Sequence, residues 1–277
     1  MLVSYVIPVY NMENYIRQCI TSVFLQILPH GVEIEIIIVN DASTDTSMHQ
    51  INKVFEDRFG QKYFNHVTGY KILDLKTNRG AGNALYEGFK LASGDYICYL
   101  SADDILHNHF KTMGQLRSME KNNSDLSYCD SYIIGEDINH VNDIRSSFIY
   151  SYKNVNKIIL SNNLLTYFFL NLKNPINSST FMIKSQSIEK YGNWDPTLKG
   201  DCDGDMLLRW SLHGAKISEV RCDKSIFYRL HENQLSNNPS LMSETMLYNR
   251  KKYAIEVLSG NYPIWIKLLV KLFVRLK

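Results

Sequence analysis

The sequence predicts an α/β fold in which a mostly parallel sheet is covered by helices on both faces. Four apolar stretches occur within the first 104 residues, and each is followed by a segment whose apolar residues recur at helical spacing. The apolar stretches are continuous rather than alternating, which is typical of parallel strands buried on both faces. With 277 residues and 45% hydrophobic content, the chain can build a large core.

The first two strand–helix units begin at Val3–Val9 and Ile34–Val39, which are rich in β-branched residues and are predicted to be strands. Apolar residues recur at helical spacing over 15–24, so a helix is expected after the first strand. Ser43 and Thr44 are the candidate N-caps of the helix after the second strand, because their hydroxyl groups can accept hydrogen bonds from its first turn.

The third and fourth units contain the predicted strands Tyr70–Leu75 and Asp95–Leu100. Between them lie the polar, glycine-containing stretch 78–83 and a further helical segment. The fourth strand is followed by two adjacent carboxylates, Asp103 and Asp104. Taken alone, such a pair is readily explained by capping, because acidic side chains are favourable at helix N-termini.

Polar residues follow all four predicted strands. Because the carboxyl ends of parallel strands meet at one edge of a sheet, these residues are expected to share a crevice of the kind in which α/β proteins bind ligands. The crevice would offer acceptors for a base and a ribose, an arginine for phosphate, and carboxylates for a divalent metal. We therefore predict a nucleotide-phosphate site. The residues are Tyr10 and Asn11, Asp41, Asn78 and Arg79, and Asp103 and Asp104.

The chain from residue 105 to residue 236 continues without a proline- or glycine-rich linker, so it is not divided into independent domains. Its patterns predict a helix over about 109–121, a strand over Leu126–Ile134, an apolar helix over Asn163–Leu172 and a strand over Ser179–Lys184. The stretch Asn139–Lys157 is polar and irregular, and it predicts loops with at most a short strand pair.

Three acidic residues, Asp201, Asp203 and Asp205, crowd the start of the helix predicted from GDCDGDMLLRWSLHG. All three could interact favourably with the positive end of the helix dipole. Three exceed what capping requires, however, and the alternative is that one of them is a general base facing the cleft. Burial near Trp194 and Trp210 would raise the pKa of such a carboxyl group, whereas the helix start would lower it.

The sequence FYRLHENQLS at 227–236 brings together two residues suited to a phosphate and a metal. Arg229 carries a permanent positive charge, and the neutral imidazole of His231 can ligate a metal. Taken alone, a histidine in such a run is more often a hydrogen-bonded surface residue than a ligand.

The segment 262–277 differs in composition from the rest of the chain. Lys267, Lys271 and Arg275 repeat every four residues while apolar residues fill the remaining surface, as in a basic amphipathic helix that lies on an anionic membrane. The segment is too short and too charged to span a membrane. The alternative is a terminal helix that packs on the domain or on a second subunit, which leaves a homodimer open.

Charge and cysteine usage limit the partners and the compartment. Thirty basic and 28 acidic residues give a net charge of +2, which does not favour nucleic acid as a partner. The five cysteines are scattered, without a C-x-x-C spacing or a preceding secretory segment, as is typical of the reducing cytoplasm. We expect a cytoplasmic protein, peripheral on the inner face of the plasma membrane if 262–277 binds lipid.

Five segments resemble, in order, the blocks of bacterial family 2 glycosyltransferases of the GT-A fold: VSYVIPVYN, EIIIVNDASTD, NRGAGNALYEGFKLASGDYICYLSADD, WDPTLKGDCDGDMLLRW and YRLHENQLS. The match spans 3–236. The resemblance implies inverting transfer of a hexosyl or N-acetylhexosaminyl group from a nucleotide sugar, usually a UDP-sugar, with Mn²⁺ or Mg²⁺ on the diphosphate. It implies a transferase domain over 1–236, with a nucleotide-binding half (1–104) and an acceptor-binding half (105–236), followed by C-terminal helices over 237–277.

The resemblance also implies the roles of individual residues. Asp203 falls at the position of the catalytic base. The metal ligands would be Asp103, Asp104 and His231. The donor would be bound by Pro8, Val9, Tyr10, Asp41, Asn78, Arg79, Ser101, Ala102 and Asp103.

Two positions depart from the family pattern. Ser101 replaces the first Asp of the Asp-x-Asp motif, and Cys202 replaces the Glu before the base, so each change removes a carboxylate. A non-catalytic sugar-nucleotide-binding relative is therefore one alternative. A nucleotidyltransferase is another, although no Gly-rich, Lys-bearing loop follows the first strand. If 262–277 binds membrane, the expected acceptor is a lipid-linked glycan of a bacterial surface polysaccharide, such as capsule or lipopolysaccharide.

Overall fold

The computed structural model describes residues 1–135, 162–172, 174, 176–221 and 225–272, together with the backbone of 141–145 and 273. Most of the stretch 139–157 and the end of the segment 262–277, including Arg275, lie outside these residues. No helix in the described part of the chain is both long enough and apolar enough to cross a membrane.

Eleven strands and nine helices are described. The strands are β1 (Leu2–Val9), β2 (Glu33–Asn40), β3 (Val67–Asp74), β4 (Tyr96–Tyr99), β5 (Ile105–Leu106), β6 (Leu126–Cys129), β7 (Ser131–Ile134), β8 (Val141–Arg145), β9 (Met182–Lys184), β10 (Ile217–Val220) and β11 (Ile226–Arg229). The helices are α1 (Ile16–Phe24), α2 (Ser47–Arg58), α3 (Ala81–Leu91), α4 (Lys111–Asn122), α5 (Asn163–Leu172), α6 (Ser185–Tyr191), α7 (Cys202–Leu212), α8 (Pro239–Ser259) and α9 (Ile264–Phe273).

Seven strands form the central sheet, in the order β10-β6-β9-β4-β1-β2-β3. Strand β1 pairs in parallel with β2 and β4, and β2 pairs in parallel with β3. Among the described strands of this sheet, only β9 runs antiparallel, against β4 and β6. The predicted mostly parallel sheet with flanking helices is therefore confirmed, and the carboxyl ends of β1 to β4 lie at one edge.

Both faces of the central sheet are buried, as its continuous apolar strands indicate. Along β1, Val6 packs into one hydrophobic core, whereas Tyr5 and Ile7 pack into the other, because successive side chains of a strand point to opposite faces. The C-terminal helices α8 and α9 add Val257 and Ile266 to the core that contains Val6. The two C-terminal helices thus share a core with the sheet.

The prediction of one strand over Leu126–Ile134 is wrong, because the chain changes sheets at Asp130. Strand β6 pairs with β9 and β10 in the central sheet, whereas β7 joins a smaller sheet in the order β5-β11-β7-β8. Residues on both sides of Asp130 have high β-propensity, so the pattern does not mark the change. The short strands β5 and β10 and the helix α6 were not predicted.

The predicted caps of α2 serve a different purpose. The helix starts at Ser47, after both predicted caps. The Ser43 hydroxyl oxygen accepts a hydrogen bond from the Asn11 N–H (3.0 Å), and the Thr44 N–H donates to Asn11 Oδ1 (2.8 Å). The two residues therefore join the loop after β2 to the loop after β1 at the edge of the sheet.

Candidate active site

A cavity of about 430 Å³ opens at the carboxyl end of β4. One side is formed by the turn that follows β4, and the other by the start of α7, about 100 residues later in the chain. The acidic residues of these two segments, which the sequence presents as separate clusters, therefore meet in one cavity. Its polar lining residues include Ser101, Asp103, Asp104, Asp201, Asp203 and Gln234.

Asp103 is buried and held on one side only. Its Oδ2 accepts hydrogen bonds from His231 Nε2 (3.0 Å) and Gln234 Nε2 (3.3 Å), while its buried Oδ1 has no hydrogen-bond partner among the described residues. Burial by itself would raise the pKa of Asp103, but hydrogen bonds from His231 and Ser101 outweigh burial and lower the pKa. The group is therefore a carboxylate with one free oxygen.

Asp104 is fully buried beside Asp103. Its Oδ1 accepts a hydrogen bond from the Arg229 N–H (3.1 Å), and its Oδ2 is buried without a partner in the part of the chain that the structure describes. Burial, followed by the negative charge of Asp103, raises the pKa of Asp104 well above its usual value. A bound cation would offset both effects.

Arg229 is positioned to support the acidic turn. Its side chain is 2% exposed, its Nε donates to the Asp103 carbonyl oxygen (3.0 Å), and its Nη2 donates to Gln18 Oε1 (2.6 Å). The guanidinium group also lies over the Tyr15 ring, 4.9 Å from its centroid. These contacts do not fit the predicted role of Arg229 as a phosphate partner, because they direct the buried guanidinium group to the protein itself.

The carboxylates of Asp103 and Asp104 fit a divalent cation. Buried oxygens without partners are rare in proteins, and hard cations take oxygen ligands. No group of three or more His, Cys, Asp or Glu side chains suited to a metal occurs among the described residues, and His231 Nε2 is already bonded to Asp103. A cation here would take its remaining ligands from phosphate oxygens and water, as Mg²⁺ commonly does.

The predicted donor-binding residues of β1, β2 and β3 lie along the same edge of the sheet but outside the cavity lining. Asp41 is buried and accepts hydrogen bonds from the N–H groups of Arg79 and Gly80, both at 2.8 Å. This places the exposed residues Asn78 and Arg79 beside the loops that Asn11 joins. Val9 and Ala102 are buried in the core, whereas Tyr10 is 44% exposed and Pro8 is partly buried.

The three acids at the start of α7 have three different environments. Asp205 is fully buried, and its carboxylate accepts hydrogen bonds from Tyr253 Oη (2.6 Å), Lys252 Nζ (3.0 Å) and Arg209 Nη2 (3.3 Å). It joins α7 to α8. Asp201 and Asp203 both line the cavity. A favourable interaction with the helix dipole therefore does not explain all three acids.

Asp203 has the properties of a general base. It lines the cavity and is only partly exposed. Burial raises its pKa, although hydrogen bonds from its own N–H, the Gly204 N–H and the Ser178 hydroxyl oppose the increase. A carboxylate with a raised pKa accepts a proton more readily, which is what deprotonation of a hydroxyl group requires.

The family model for Glycosyl transferase family 2 matches residues 4–192, which is more than half of the chain. The chain belongs to this family. An uncharacterized glycosyltransferase of Rickettsia typhi is 30% identical over 242 residues, which cover 85% of this chain and 66% of that protein. This family 2 chain therefore spans about two thirds of that relative. The poly(ribitol-phosphate) beta-glucosyltransferase of Bacillus spizizenii is 36% identical over 107 residues, covering 38% of this chain and 15% of that protein.

Solved structures of other proteins show the same fold. TarS 1–349 from S. aureus in complex with UDP-GlcNAc matches with a TM-score of 0.73 at 19% identity, covering 99% of this chain and 72% of that chain. The mannosyltransferase PcManGT from Pyrobaculum calidifontis, in complex with GDP-Man and Mn²⁺, matches with a TM-score of 0.71 at 14% identity, covering 99% and 69%. This family 2 chain therefore has the predicted GT-A fold.

The two departures from the family pattern have clear placements. Ser101 lines the cavity, where its nearby hydroxyl group contributes to the lowered pKa of Asp103. Cys202 is buried, and its Sγ donates to the Leu198 carbonyl oxygen (3.5 Å). Burial raises the pKa of the Cys202 thiol, so it remains neutral. In this family 2 chain, residue 202 therefore supplies packing rather than charge.

Gln234, Gln18 and Trp194 are among the site residues that the sequence did not predict. Gln234 holds Asp103 together with His231, and the three-residue spacing within FYRLHENQLS was the available signal. Gln18 receives a hydrogen bond from Arg229, which is 211 residues away, so no local pattern could indicate it. Trp194, which the sequence predicts only to raise the pKa of a nearby carboxyl group, lines the cavity itself.

Proposed function

We propose that this chain is a metal-dependent, inverting glycosyltransferase that moves a hexosyl or N-acetylhexosaminyl group from a UDP-sugar to a glycan hydroxyl group. The observation that carries the proposal is the presence, in one cavity, of a carboxylate with a free buried oxygen, Asp103, and a carboxylate with a raised pKa, Asp203. The UDP and UDP-GlcNAc complexes of the structurally similar TarS support a uridine nucleotide donor.

The Asp103 side of the cavity serves the departing diphosphate. Cleavage at the anomeric carbon leaves negative charge on the diphosphate, and fixed positive charge lowers the barrier to its departure. Mn²⁺ or Mg²⁺ held by Asp103 and Asp104 would supply that charge. His231 and Gln234 hold Oδ2 of Asp103, so that Oδ1 stays available. In this arrangement His231 orients a metal ligand, which is a common function of hydrogen bonds around metal sites.

The Asp203 side serves the acceptor. Asp203 accepts the proton of the acceptor hydroxyl group as the oxygen attacks the anomeric carbon, and attack in line with the departing diphosphate inverts its configuration. The nucleoside lies along the neighbouring edge of the sheet. There, Asp41 fixes the backbone of Arg79 and Gly80, so the loop that meets the donor is preorganised, which reduces the cost of binding.

Release of UDP from a panel of UDP-sugars in the presence of Mn²⁺ tests the proposal. The wild-type chain should release UDP from at least one of them, and EDTA or Asp103→Asn should abolish the release. Asp57→Asn is a matched control, because Asp57 forms only an exposed pair with Arg17 (3.2 Å), and such pairs contribute little. UDP release that survives both EDTA and Asp103→Asn would contradict the assignment of Asp103.

A non-catalytic sugar-nucleotide-binding protein is the second candidate, and the loss of carboxylates at Ser101 and Cys202 favours it. The same assay separates the two functions. A chain that binds UDP and UDP-sugars, measured by calorimetry with Mn²⁺, but releases no UDP from any donor would be the non-catalytic relative.

We further propose that α9 rests on an anionic membrane and that the acceptor is a lipid-linked glycan of a bacterial surface polysaccharide. One face of α9 packs into the core through Ile266 and Val270, which are completely buried. The opposite face exposes Ile264, Leu268 and Leu272, which are 76%, 53% and 74% exposed. Apolar residues on a solvent-facing helix surface are typical of interfacial helices.

Charge complementarity favours lipid over a second copy of the chain as the occupant of this face. Lys267 and Lys271 lie on the same helix, flanking its exposed apolar face. Each basic residue near an anionic surface contributes about 1 kcal/mol to binding. Two copies of this face would instead bring the same positive charges together, which is unfavourable. The site would then act at the inner face of the plasma membrane.

Sedimentation with phosphatidylglycerol-containing vesicles tests the membrane proposal. The wild-type chain should sediment with these vesicles and not with pure phosphatidylcholine, whereas Leu268→Gln with Leu272→Gln should stay in solution. Leu91→Gln is the control, because Leu91 is an exposed leucine on α3 (37%). Failure to bind anionic vesicles, together with a dimer that the double substitution dissociates, would show that the face is a homodimer interface.

A further inference from the structure

Asp201 occupies the N-cap position of α7 without capping it. N-cap aspartates adopt extended backbone conformations and accept a hydrogen bond from an N–H of the first turn. Asp201 instead has φ 45° and ψ 35°, and its side chain accepts no hydrogen bond from the helix. The left-handed region is unfavourable for residues with a side chain, and its use often marks a functional position. Capping therefore does not explain this carboxyl group.

Neighbouring elements hold the Asp201 carboxyl group in place. Asn249 Nδ2, on α8, donates hydrogen bonds to Asp201 Oδ2 (2.9 Å) and to its carbonyl oxygen (3.0 Å). Gly204, on α7, leaves the necessary room, because a Cβ there would lie 2.4 Å from both carboxyl oxygens. Within the described part of the chain, no hydrogen bond to Oδ1 of Asp201 is formed. One oxygen is thus fixed and the other is available to a ligand.

Asp201 shares its cavity with Asp203, and Cys202, the residue between them, also lines it. The Cys202 thiol donates to the Leu198 carbonyl oxygen. Burial, with a further contribution from the charge of Asp203, raises the pKa of Asp201 to about 7. Near neutral pH this group is therefore partly protonated, so it can both donate to and accept from a hydroxyl group.

We propose that Asp201 binds a hydroxyl group of the acceptor sugar next to the one that Asp203 deprotonates. Asp201 is then a specificity-determining residue on the acceptor side, which Asn249 positions from α8. This inference rests on the proposed transferase function. A site built to hydrogen-bond a substrate hydroxyl group discriminates strongly against substrates that lack it, because its buried polar group is otherwise left unpaired. Sugars, like other polyols, present adjacent hydroxyl groups.

The ratio of sugar transfer to donor hydrolysis tests this role. The UDP-sugar that the wild-type chain hydrolyses fastest is incubated with Mn²⁺ and with methyl β-glycosides of glucose, galactose and N-acetylglucosamine as surrogate acceptors. Glycoside product and free sugar are quantified by mass spectrometry. Asp201→Asn should lower the ratio at least tenfold, because transfer to a sugar needs the second contact and hydrolysis by water does not. Asparagine tolerates the left-handed backbone, so this substitution adds no strain.

Two further variants complete the test. Asn249→Leu should also lower the ratio, because it removes the donor that fixes Asp201. Asp205→Asn is the matched control, since it removes a buried carboxylate of the same helix that lies outside the cavity lining, and it should leave the ratio unchanged. A ratio within twofold of wild type for Asp201→Asn, or hydrolysis without transfer to any glycoside by the wild type, would overturn the inference. A wild-type chain that releases no UDP from any donor would instead overturn the proposed function.

Discussion

The two acidic clusters of the cavity are held in different ways. Asp103 and Asp104 are buried, and each keeps one carboxylate oxygen without a partner among the described residues. At the start of α7, Asp205 is paired through both of its oxygens, Asp201 is held through one, and Asp203 lines the cavity. Five aspartates therefore have different environments, which are decided by the partners that other elements bring to them.

The difference follows from which elements supply the partners. The pair after β4 is held by β11 and the residues after it, through Arg229, His231 and Gln234. These partners leave the free oxygens buried, where a cation can bind. The acids of α7 are held by α8, which neutralises Asp205 with Lys252 and leaves Asp203 to the cavity. The two clusters are thus supported by different elements, and in the proposed mechanism one serves the leaving group and the other the proton.

Asp203→Asn provides the largest expected effect, because it leaves the structure of the cluster intact and removes only its base. We expect the transfer rate to fall by roughly 10²–10⁴-fold, the usual contribution of general base catalysis. The dissociation constant of UDP in Mn²⁺ should stay within about twofold of wild type, because Asp203 does not hold the diphosphate. A variant that transfers sugar at the wild-type rate would show that the base lies elsewhere.

Asp205→Asn should affect stability instead of chemistry. The substitution leaves Arg209 and Lys252 without their buried partner, and breaking a buried ion pair in this way costs about 3–5 kcal/mol in the free energy of unfolding. Urea denaturation measures this loss. Activity per folded molecule should not change. A specific activity that falls with Asp205→Asn as far as it does with Asp203→Asn would remove the distinction between the two acids.

The titration of Asp201 should contribute to the pH dependence of the free energy of unfolding. Its pKa is about 7 in the folded chain and about 3.9 when unfolded. Between these values the folded state retains a proton that the unfolded state has lost, so the free energy of unfolding decreases as pH rises from about 4 to about 7. The contribution is at most about 4 kcal/mol, at 1.36 kcal/mol per pKa unit. Asp201→Asn should reduce the difference in the free energy of unfolding between pH 5 and pH 8, measured by urea denaturation. An unchanged difference would contradict the raised pKa of Asp201.

Among these four substitutions, His231→Leu should produce the smallest effect. It removes the hydrogen bond that orients Asp103, and losing such an outer contact typically weakens metal binding by about 10–100-fold. Electron paramagnetic resonance of Mn²⁺ in the presence of UDP measures the affinity directly. His231→Gln should partly restore it, because an amide N–H can also donate to Asp103. If His231→Gln does not restore the affinity for Mn²⁺, His231 ligates the metal itself.

The part of the site that lies at the strand ends could be predicted from the sequence. Buried parallel strands have a distinctive apolar composition, and their carboxyl ends must meet at one edge, so the positions of Asp41 and Asp103 followed from pattern alone. The family resemblance added a role for Asp203. The different environments of Asp201 and Asp205 could not be predicted, because their partners, Asn249 and Lys252, come from a helix almost 50 residues later.

The errors have physical causes of the same kind. Arg229 has the charge of a phosphate ligand, but its burial beside Gln18 depends on how the smaller sheet meets α1. The change of sheets at Asp130 is decided by the partners of β6 and β7, since both strands have suitable residues. Short strands such as β10 contain too few residues for a periodic pattern to be recognised.

The contact between Arg229 and Gln18 spans 211 residues, and this span affects how an active molecule arises in the cell. Ribosomes add roughly 5–20 residues per second, so Arg229 is synthesised about 10–40 s after Gln18. Until then the acidic turn after β4 lacks its support, and the nascent chain cannot assemble a complete site. Contacts between distant residues also slow folding, because the entropy of closing the intervening loop must be lost first. Activity should therefore appear only after nearly the whole described chain has been released, rather than growing gradually during translation.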